Sequence, residues 1–539
     1  MNKKKRISVM VFSAFMLCIS MEMKAQVEFY KLSDEGKTLT YYYLKDWINA
    51  GADGHGRPEE TEVIERVETI VFDESYADYR FPRATLSGFF RGYVNLKAIK
   101  NIQYLNSENV TSMSDMFKEC SSLKSLDLSS LNTSNVTNMS SMFEGCYELE
   151  NLNLSNWNTE KVEGMSRMFY ECSSLTSLDL SHFDTRNVKF LQEMFFYDIA
   201  MTDLNLRNWR TDNLINAKGM FERCEALKRL DISGFEAAKC TDFSSMFSRC
   251  MSLTSLDVSS LNTESAINMN SMFEECTNLE SLDVSNFNTK NVSNMSKMFH
   301  GCRQITDLNV SNFDTGNVTN MIHMFSLMSK LTKLNLRNFN TSKVEKMGSM
   351  FANDELLEDL DLTSFDTRNV VQLADMFWWC FRLKTIDLSS FNTAKVTRMS
   401  EMFNKCTSLT TIYVSEGWTT ESLITNQHST MGGMFYLCKK LVGEKGTTYD
   451  ENHRDYDYAH IDGGSTAPGY LTYRKISKKK GDANGDGEVD AKDIVDIVNH
   501  MMGKPTSTGI FDEKTADVNE DGVVNITDVV KILNIIIEK

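Results

Sequence analysis

A Met-Phe pair recurs every 26 residues, twelve times in succession, with no insertion or deletion between copies. The phenylalanines are Phe117, Phe143, Phe169, Phe195, Phe221, Phe247, Phe273, Phe299, Phe325, Phe351, Phe377 and Phe403. So strict a period means stacked copies of one supersecondary unit, because a single extra residue would throw every later side chain out of register. The chain is therefore expected to be a solenoid over most of its length, and a solenoid offers surface rather than a catalytic cleft.

One copy, residues 131–156, reads LNTSNVTNMSSMFEGCYELENLNLSN. Val136, Met139, Met142, Phe143 and Cys146 fall at three- and four-residue spacing, which predicts one face of a short helix with Thr137 or Asn138 as N-cap. Leu149, Leu152 and Leu154 follow an L-x-x-L-x-L spacing, which predicts a short strand with Leu152 and Leu154 inward and Asn153 outward. Stacked strands lie about 4.7–4.9 Å apart, so twelve coils span roughly 55–60 Å. No coil buries its Leu and Met-Phe face alone; its neighbours must cover it.

The motif N-V-T-N-M-S-x-M-F-x-x-C-x-x-L-x-x-L-D-L-S, nearly intact at residues 109–129 and 291–311, resembles leucine-rich repeats, in particular the 26-residue repeats of BspA-like bacterial surface proteins. The resemblance implies a secreted or surface-displayed, non-enzymatic protein, sometimes linked to adhesion. The expected fold is an α/β repeat: a leucine-rich-repeat-type solenoid of about 12–13 coils, plus a small all-α C-terminal domain.

Residues 1–25 resemble a secretory signal peptide. Lys3, Lys4, Lys5 and Arg6 precede a short apolar run, and cleavage is expected near Ala25. Cys18 raises a lipoprotein reading, but Leu17 stands where a lipobox wants a small residue. No later segment is long and apolar enough to span a membrane. The net charge is -17. The leader holds five basic residues and one acidic, so its removal takes the charge to about −21. Such a chain repels phosphate backbones, which excludes nucleic acid as the natural partner. Calcium or a basic partner fits better.

Ten of the 12 cysteines follow the repeat phenylalanine by three: Cys120, Cys146, Cys172, Cys224, Cys250, Cys276, Cys302, Cys380, Cys406 and Cys438. Asp198, Met328 and Asp354 take that slot in three coils. The readings are an inward ladder of small apolar thiols, disulfides between adjacent coils, or a zinc site, for which no C-x-x-C and no well-placed histidine exists.

Residues 26–104 are expected to cap the array, with a strand at 68–72 and a degenerate first coil around Phe90, Leu96 and Ile99. The regular repeats occupy 105–442, with 211–219 and 236–243 the most divergent stretches. Met434-Phe435 arrives after 32 residues. Residues 443–473 close the solenoid, and DGGSTAPGY there resembles the usual terminus of the repeat family. Residues 474–480 (RKISKKK) form a basic, exposed linker.

Residues 481–539 differ in composition: two Asp/Asn-rich loops, each followed by an apolar-periodic helix. The first offers Asp482, Asn484, Asp486, Glu488, Asp490 and Asp493; the second, 35 residues on, offers Asp517, Asn519, Asp521, Val523, Asn525 and Asp528. Oxygens at loop positions 1, 3, 5, 9 and 12, glycine at 6 and a backbone carbonyl at 7 match calcium-loop geometry, which predicts two calcium ions. Aspartate at position 12 and the duplicated loop-helix layout resemble a type I dockerin, which implies docking to a cohesin module. Ala491-Lys492 and Ile526-Thr527 replace that family's usual Ser/Thr pair, leaving the identity of the cohesin open.

The chain has no H-E-x-x-H, no G-x-S-x-G and no phosphate-binding glycine loop, so it is not read as an enzyme. His182, His300 and His323 are read as scattered surface histidines. Outward Asp127, Asp179, Asp231, Asp257, Asp283, Asp361 and Asp387 alternate with Asn153, Asn205, Asn309 and Asn335, which reads as a hydrogen-bonding ladder rather than a paired-carboxylate site. Trp378-Trp379 and Phe196-Tyr197 break a run of polar positions; each is a candidate binding hot spot or a local packing filler. Three binding roles remain: contact with an extracellular or host protein, a carbohydrate-binding surface, or an architectural spacer in a polysaccharide-degrading assembly.

Overall fold

The computed structural model describes residues 28–33, 35–43, 54–55, 57–78, 84–424, 433–475, 479–485, 488–507 and 511–538. The signal-peptide reading of residues 1–25 and the candidate ligand Asp486 lie outside them. The chain divides into two compact units, residues 1–201 with 208–210, and residues 202–207 with 211–539.

The first unit opens with the cap. Strands β1 (Glu28–Leu32), β2 (Thr38–Tyr43), β3 (Gly54–His55), β4 (Thr69–Phe72) and β5 (Ala98–Lys100) form one sheet in the order β3-β1-β2-β4-β5, with helix α1 (Thr61–Arg66) before β4. The β1–β2 pair is antiparallel, whereas β2–β4 and β4–β5 are parallel. The hairpin thus covers the first edge with hydrogen-bonded strands, and Tyr41, Phe72 and Phe90 are fully buried beneath it. Phe90 does begin the stack despite its one-residue offset, its ring 5.0 Å from that of Phe117.

Each later coil adds a rung. In the first unit parallel bridges link Thr85, Ser112, Asn138, Gly164 and Phe190; β6 (Ser125–Asp127) pairs with β7 (Asn151–Asn153) in the Leu126–Leu152 register. The second unit repeats the pattern from Asn216 to Arg398, with β8 (Asp203–Asn205) pairing β9 (Arg229–Asp231). All twelve repeat phenylalanines have no exposed surface. Their rings stack face to face at 5.6 Å in the first unit and 5.6–6.0 Å in the second. Phe435 joins the stack at 5.8 Å from Phe403, so its 32-residue interval leaves the ring column intact.

Among the described residues the expected helical half of each coil is absent. Val136, Met139, Met142, Phe143 and Cys146 are all buried, but they line a run of tight turns. Met142 and Cys146 amides close local turns onto Met139 and Phe143, while Phe143 and Gly145 amides bond forward to Met168 and Tyr170 of the next coil. Ser141 (φ 56) and Gly145 (φ 75) are left-handed, which no α-helix tolerates. Thr137 and Asn138 are likewise not helix caps: Thr137 donates to Thr111 of the preceding coil, and Asn138 takes the Ser140 N–H. Spacing of three is shared by a helix face and by a ladder of three-residue turns, and coil-to-coil hydrogen bonding selects the ladder.

Two further columns hold the coils together. Thr133 accepts the Asn158 N–H at 2.8 Å and donates to the Asn158 carbonyl at 2.9 Å, a clamp repeated by Thr159, Thr263 and Thr367. At Ala237 the hydroxyl is missing, within one of the divergent stretches. Trp157, Phe183 and Trp209 form a second ring stack in the first unit, and Phe339, Phe365 and Phe391 do so in the second, at 6.4 Å.

The far end of the second unit is closed by β10 (Thr385–Leu388), β11 (Thr411–Val414) and β12 (Leu471–Tyr473), all parallel. The DGGSTAPGY segment earns its place through Asp462. Its buried carboxylate accepts Lys445 N, Thr447 N, Thr447 Oγ1 and Gly464 N at 2.7–3.1 Å. A Cβ on Gly469 would collide with the His460 carbonyl. Arg474, at the start of the basic linker, is exposed as expected and also pairs with Asp387 at 2.7 Å and stacks on Tyr413.

Candidate calcium module and surface sites

The C-terminal module consists of α2 (Ala491–Met501), α3 (Glu513–Ala516) and α4 (Ile526–Ile537) around Ala483, Val489, Ile497, Ala516, Val518 and Ile532. Each of the two longer helices begins where a loop ends. Loop position 9 is the N-cap and position 12 is N3, so Asp490 with Asp493 and Asn525 with Asp528 form capping boxes. The position-12 carboxylate also reaches the start of its loop. Asp493 accepts Ala483 N at 2.8 Å and Asn484 N at 3.1 Å; Asp528 accepts Asn519 N at 3.1 Å. One aspartate thus ties both ends of each loop.

In the second loop Asp517 takes the Asp521 and Gly522 amides, Asn519 takes Asp521 N, and Asp521 takes Val523 N. Gly522 has φ +83 with open space around its would-be Cβ, the sharp turn expected at position 6. In the first loop Asp482, Asn484 and Asp493 are buried. The side chain of Glu488 meets Lys479 instead, consistent with position 7 offering its carbonyl. Among the described residues, no three His, Cys, Asp or Glu side chains converge on an ion-sized point. The donor set of these loops is all oxygen, drawn from carboxylates, amides and carbonyls, which fits a hard cation such as calcium and not zinc.

These elements match known families. A family described as "Mycoplasma protein of unknown function, DUF285" matches at residues 84–200, 176–282, 241–355 and 327–449. The chain belongs to the DUF285 family. Residues 480–536 of this DUF285 protein match the type I dockerin domain, a calcium-binding module. No curated protein matches the chain. Among solved structures it is similar to a TLR13–ssRNA13 complex, at 16% identity over 71% of this chain and 51% of that one, TM-score 0.23. It is also similar to a leucine-rich-repeat protein of Leptospira interrogans (12%, 65% and 94%, TM-score 0.22) and one of Eubacterium ventriosum (11%, 85% and 99%, TM-score 0.24). The DUF285 chain spans about half the length of the TLR13 chain. A solenoid of parallel-stacked coils carrying DUF285 repeats, with a C-terminal dockerin, is the architecture. Among the described residues no helix is long and apolar enough to cross a membrane.

The outward aspartates serve the coil rather than chemistry. Each of Asp127, Asp179, Asp231, Asp257 and Asp283 accepts the N–H of the serine two residues on, at 2.9–3.1 Å. Those serine hydroxyls and amides hold the five carboxyls below the usual range. A glycosidase acid needs the opposite shift. The ladder expected along this column is mostly a set of such local turns, with Asn153 to Asp127 as a coil-to-coil bond.

Trp378 and Trp379 come together as a half-buried pair, ring centroids 5.1 Å apart. Phe381 lies 5.5 Å from Trp379, and the Lys405 ammonium sits 4.2 Å over the Trp379 ring. Trp379 adopts φ +65, a strained choice for so bulky a side chain. Phe196 stacks on Tyr170 at 4.7 Å, with Arg167 over the same tyrosine at 4.0 Å, so that pair is packed among its neighbours. The histidines read as scattered are not all so. His300 and His323, from adjacent coils, both direct Nδ1 at the buried Ser326 hydroxyl, at 2.6 and 3.2 Å. Nothing in a single copy of the repeat signals that meeting.

Proposed function

We propose that this protein is a non-enzymatic extracellular scaffold: its solenoid presents a surface to an extracellular or host protein, and its dockerin attaches it to a cohesin-bearing partner. The observation that carries the reading is the paired loop-helix layout, in which one aspartate organises each loop and starts the following helix. Asp482, Asn484, Asp486, Asp490 and Asp493 with the Glu488 carbonyl would hold one calcium ion. Asp517, Asn519, Asp521, Asn525 and Asp528 with the Val523 carbonyl would hold a second. The ions neutralise carboxylates crowded into single turns and bind the loops to the helices. Residues 1–25 act in this reading as the leader for export. The expected result is calcium-dependent capture of the full chain by immobilised cohesins, abolished by chelator and by Asp482→Ala with Asp517→Ala. Equal capture in chelator would overturn it.

A second reading, a carbohydrate-binding component of a polysaccharide-degrading assembly, draws on the Trp378–Trp379–Phe381 cluster, since aromatic faces stack on sugar rings. Trp378→Ala with Trp379→Ala should then abolish retention on a polysaccharide column without lowering the melting temperature.

A further inference from the structure

The slot three residues past each repeat phenylalanine is a hydrogen-bonding position as well as a packing one. At nine cysteines the thiol donates to the phenylalanine carbonyl of the preceding coil, at 3.0–3.2 Å; Cys146 to Phe117 and Cys406 to Phe377 are examples. Asp198 and Asp354 occupy this slot and have no exposed surface. Oδ1 of each accepts an N–H from the same slot one coil earlier: Cys172 N for Asp198 and Met328 N for Asp354, both at 2.9 Å. Oδ2 of each is buried with no hydrogen-bond donor.

An ionised carboxylate suits this place badly. It would set a full charge among Phe, Met and Leu side chains with one neutral hydrogen bond to offset its lost hydration. It would also be acceptor-only where the other coils supply a donor. A protonated carboxyl meets both conditions: one oxygen accepts the Cys172 or Met328 N–H, and the other carries a hydrogen, as the thiols of the other coils do.

We infer that Asp198 and Asp354 are neutral carboxylic acids in the folded protein at neutral pH, standing in for the thiols of their coils, so that folding of the solenoid takes up a proton at each.

Burial pushes both carboxyls far above the usual range; Glu171 adds to this at Asp198, and the Cys172 and Met328 amides oppose it only partly. Facing Asp354 from the following coil is the Cys380 thiol, itself pushed up by burial and by Asp354. With the folded pKa raised, the stabilisation is complete below the unfolded value of about 3.9 and is lost as pH rises toward the folded one. Within that window the native chain holds one more proton per aspartate than the unfolded chain.

The test is proton release on urea unfolding of the full chain at pH 7, by calorimetry in two buffers of different ionisation heat. Wild type should release two more protons than Asp198→Asn with Asp354→Asn, in which the amide keeps an acceptor and a donor. Its unfolding constant should rise about a hundredfold per pH unit relative to that variant, a factor of ten for each proton. Asp198→Cys with Asp354→Cys restores the column's own residue and serves as a second reference should the asparagines impair folding. Equal proton counts in wild type and the references would overturn the inference, as would an infrared spectrum of labelled protein showing both aspartates ionised at pH 7.

Discussion

The solenoid and the C-terminal module solve the same burial problem with opposite means. In the solenoid every coil carries one ring into a continuous stack, and all twelve repeat phenylalanines are fully buried. The module packs six buried residues, four of them Ala or Val, and leaves Ile526, Val530, Leu533 and Ile537 of α4 between 45% and 72% exposed. Repetition lets a coil borrow its neighbours' apolar surface, so stability accumulates along the stack. A module of roughly 59 residues has no long run of repeats to borrow from, and a domain that small generally gains from a staple such as a bound metal.

The sharpest way to break the contrast is register. Deleting residues 131–156 removes one whole coil and should leave a soluble chain with a cooperative melt. Deleting only residues 131–143 joins two half-coils and should abolish folding. Comparable soluble yield from both would refute stacking as the source of stability.

Calcium removal comes next. With chelator, hydrogen exchange should become fast across α2 and α4 while the Phe143–Phe169 coils stay protected. Protection lost in both regions together would mean that the module is not separately stapled. Protection kept in both would dismiss the metal requirement.

At the solenoid's end Asp462 offers a smaller effect. Asp462→Ala strands Lys445 N, Thr447 N and Gly464 N, at a cost of about 3 kcal/mol by urea titration. The hydrogen bonds it accepts outweigh its burial and hold its carboxyl well below the usual range. Its contribution is thus present above the unfolded pKa and fades as pH falls through the folded one. Wild type and Asp462→Ala should therefore converge in strongly acidic solution, and a constant gap would show that the charge is not what matters.

The smallest expected effect is at His300, whose pKa burial lowers to about 4. The folded state favours the neutral ring, so stability should fall as pH drops from about 6.5 toward 4. His300→Gln should flatten that segment of the melting-temperature profile and leave the module's calcium response untouched. An unchanged profile would assign the acid sensitivity elsewhere.

Much of the fold was legible because periodicity is a direct record of burial. Val136, Met139, Phe143, Cys146 and Leu149 are buried as their spacing implies, and Phe90 starts the stack despite its offset. The local geometry was not legible in the same way, since the spacing of Met139, Met142 and Cys146 suits a helix face and a turn ladder alike. The dockerin was readable because its acidic loops are local, each complete within twelve positions. The double duty of Asp493 and Asp528 as loop closers and helix N3 residues emerged only from their hydrogen bonds.

The sequence by itself determined that identical coils stack, which side chains face inward, and where the oxygen-rich loops of the dockerin lie. Each follows from short-range pattern and the cost of exposing apolar surface. The tertiary structure decided what depends on partners some 26 residues away. The edge of each coil became turns because Phe143 and Gly145 bond to the next coil. His300 and His323 met at Ser326 because stacking places Ser326 one repeat on from His300, while His323 lies three residues before it in the same coil. Asp198 and Asp354 entered a dry column because stacking buries whatever residue the register puts there.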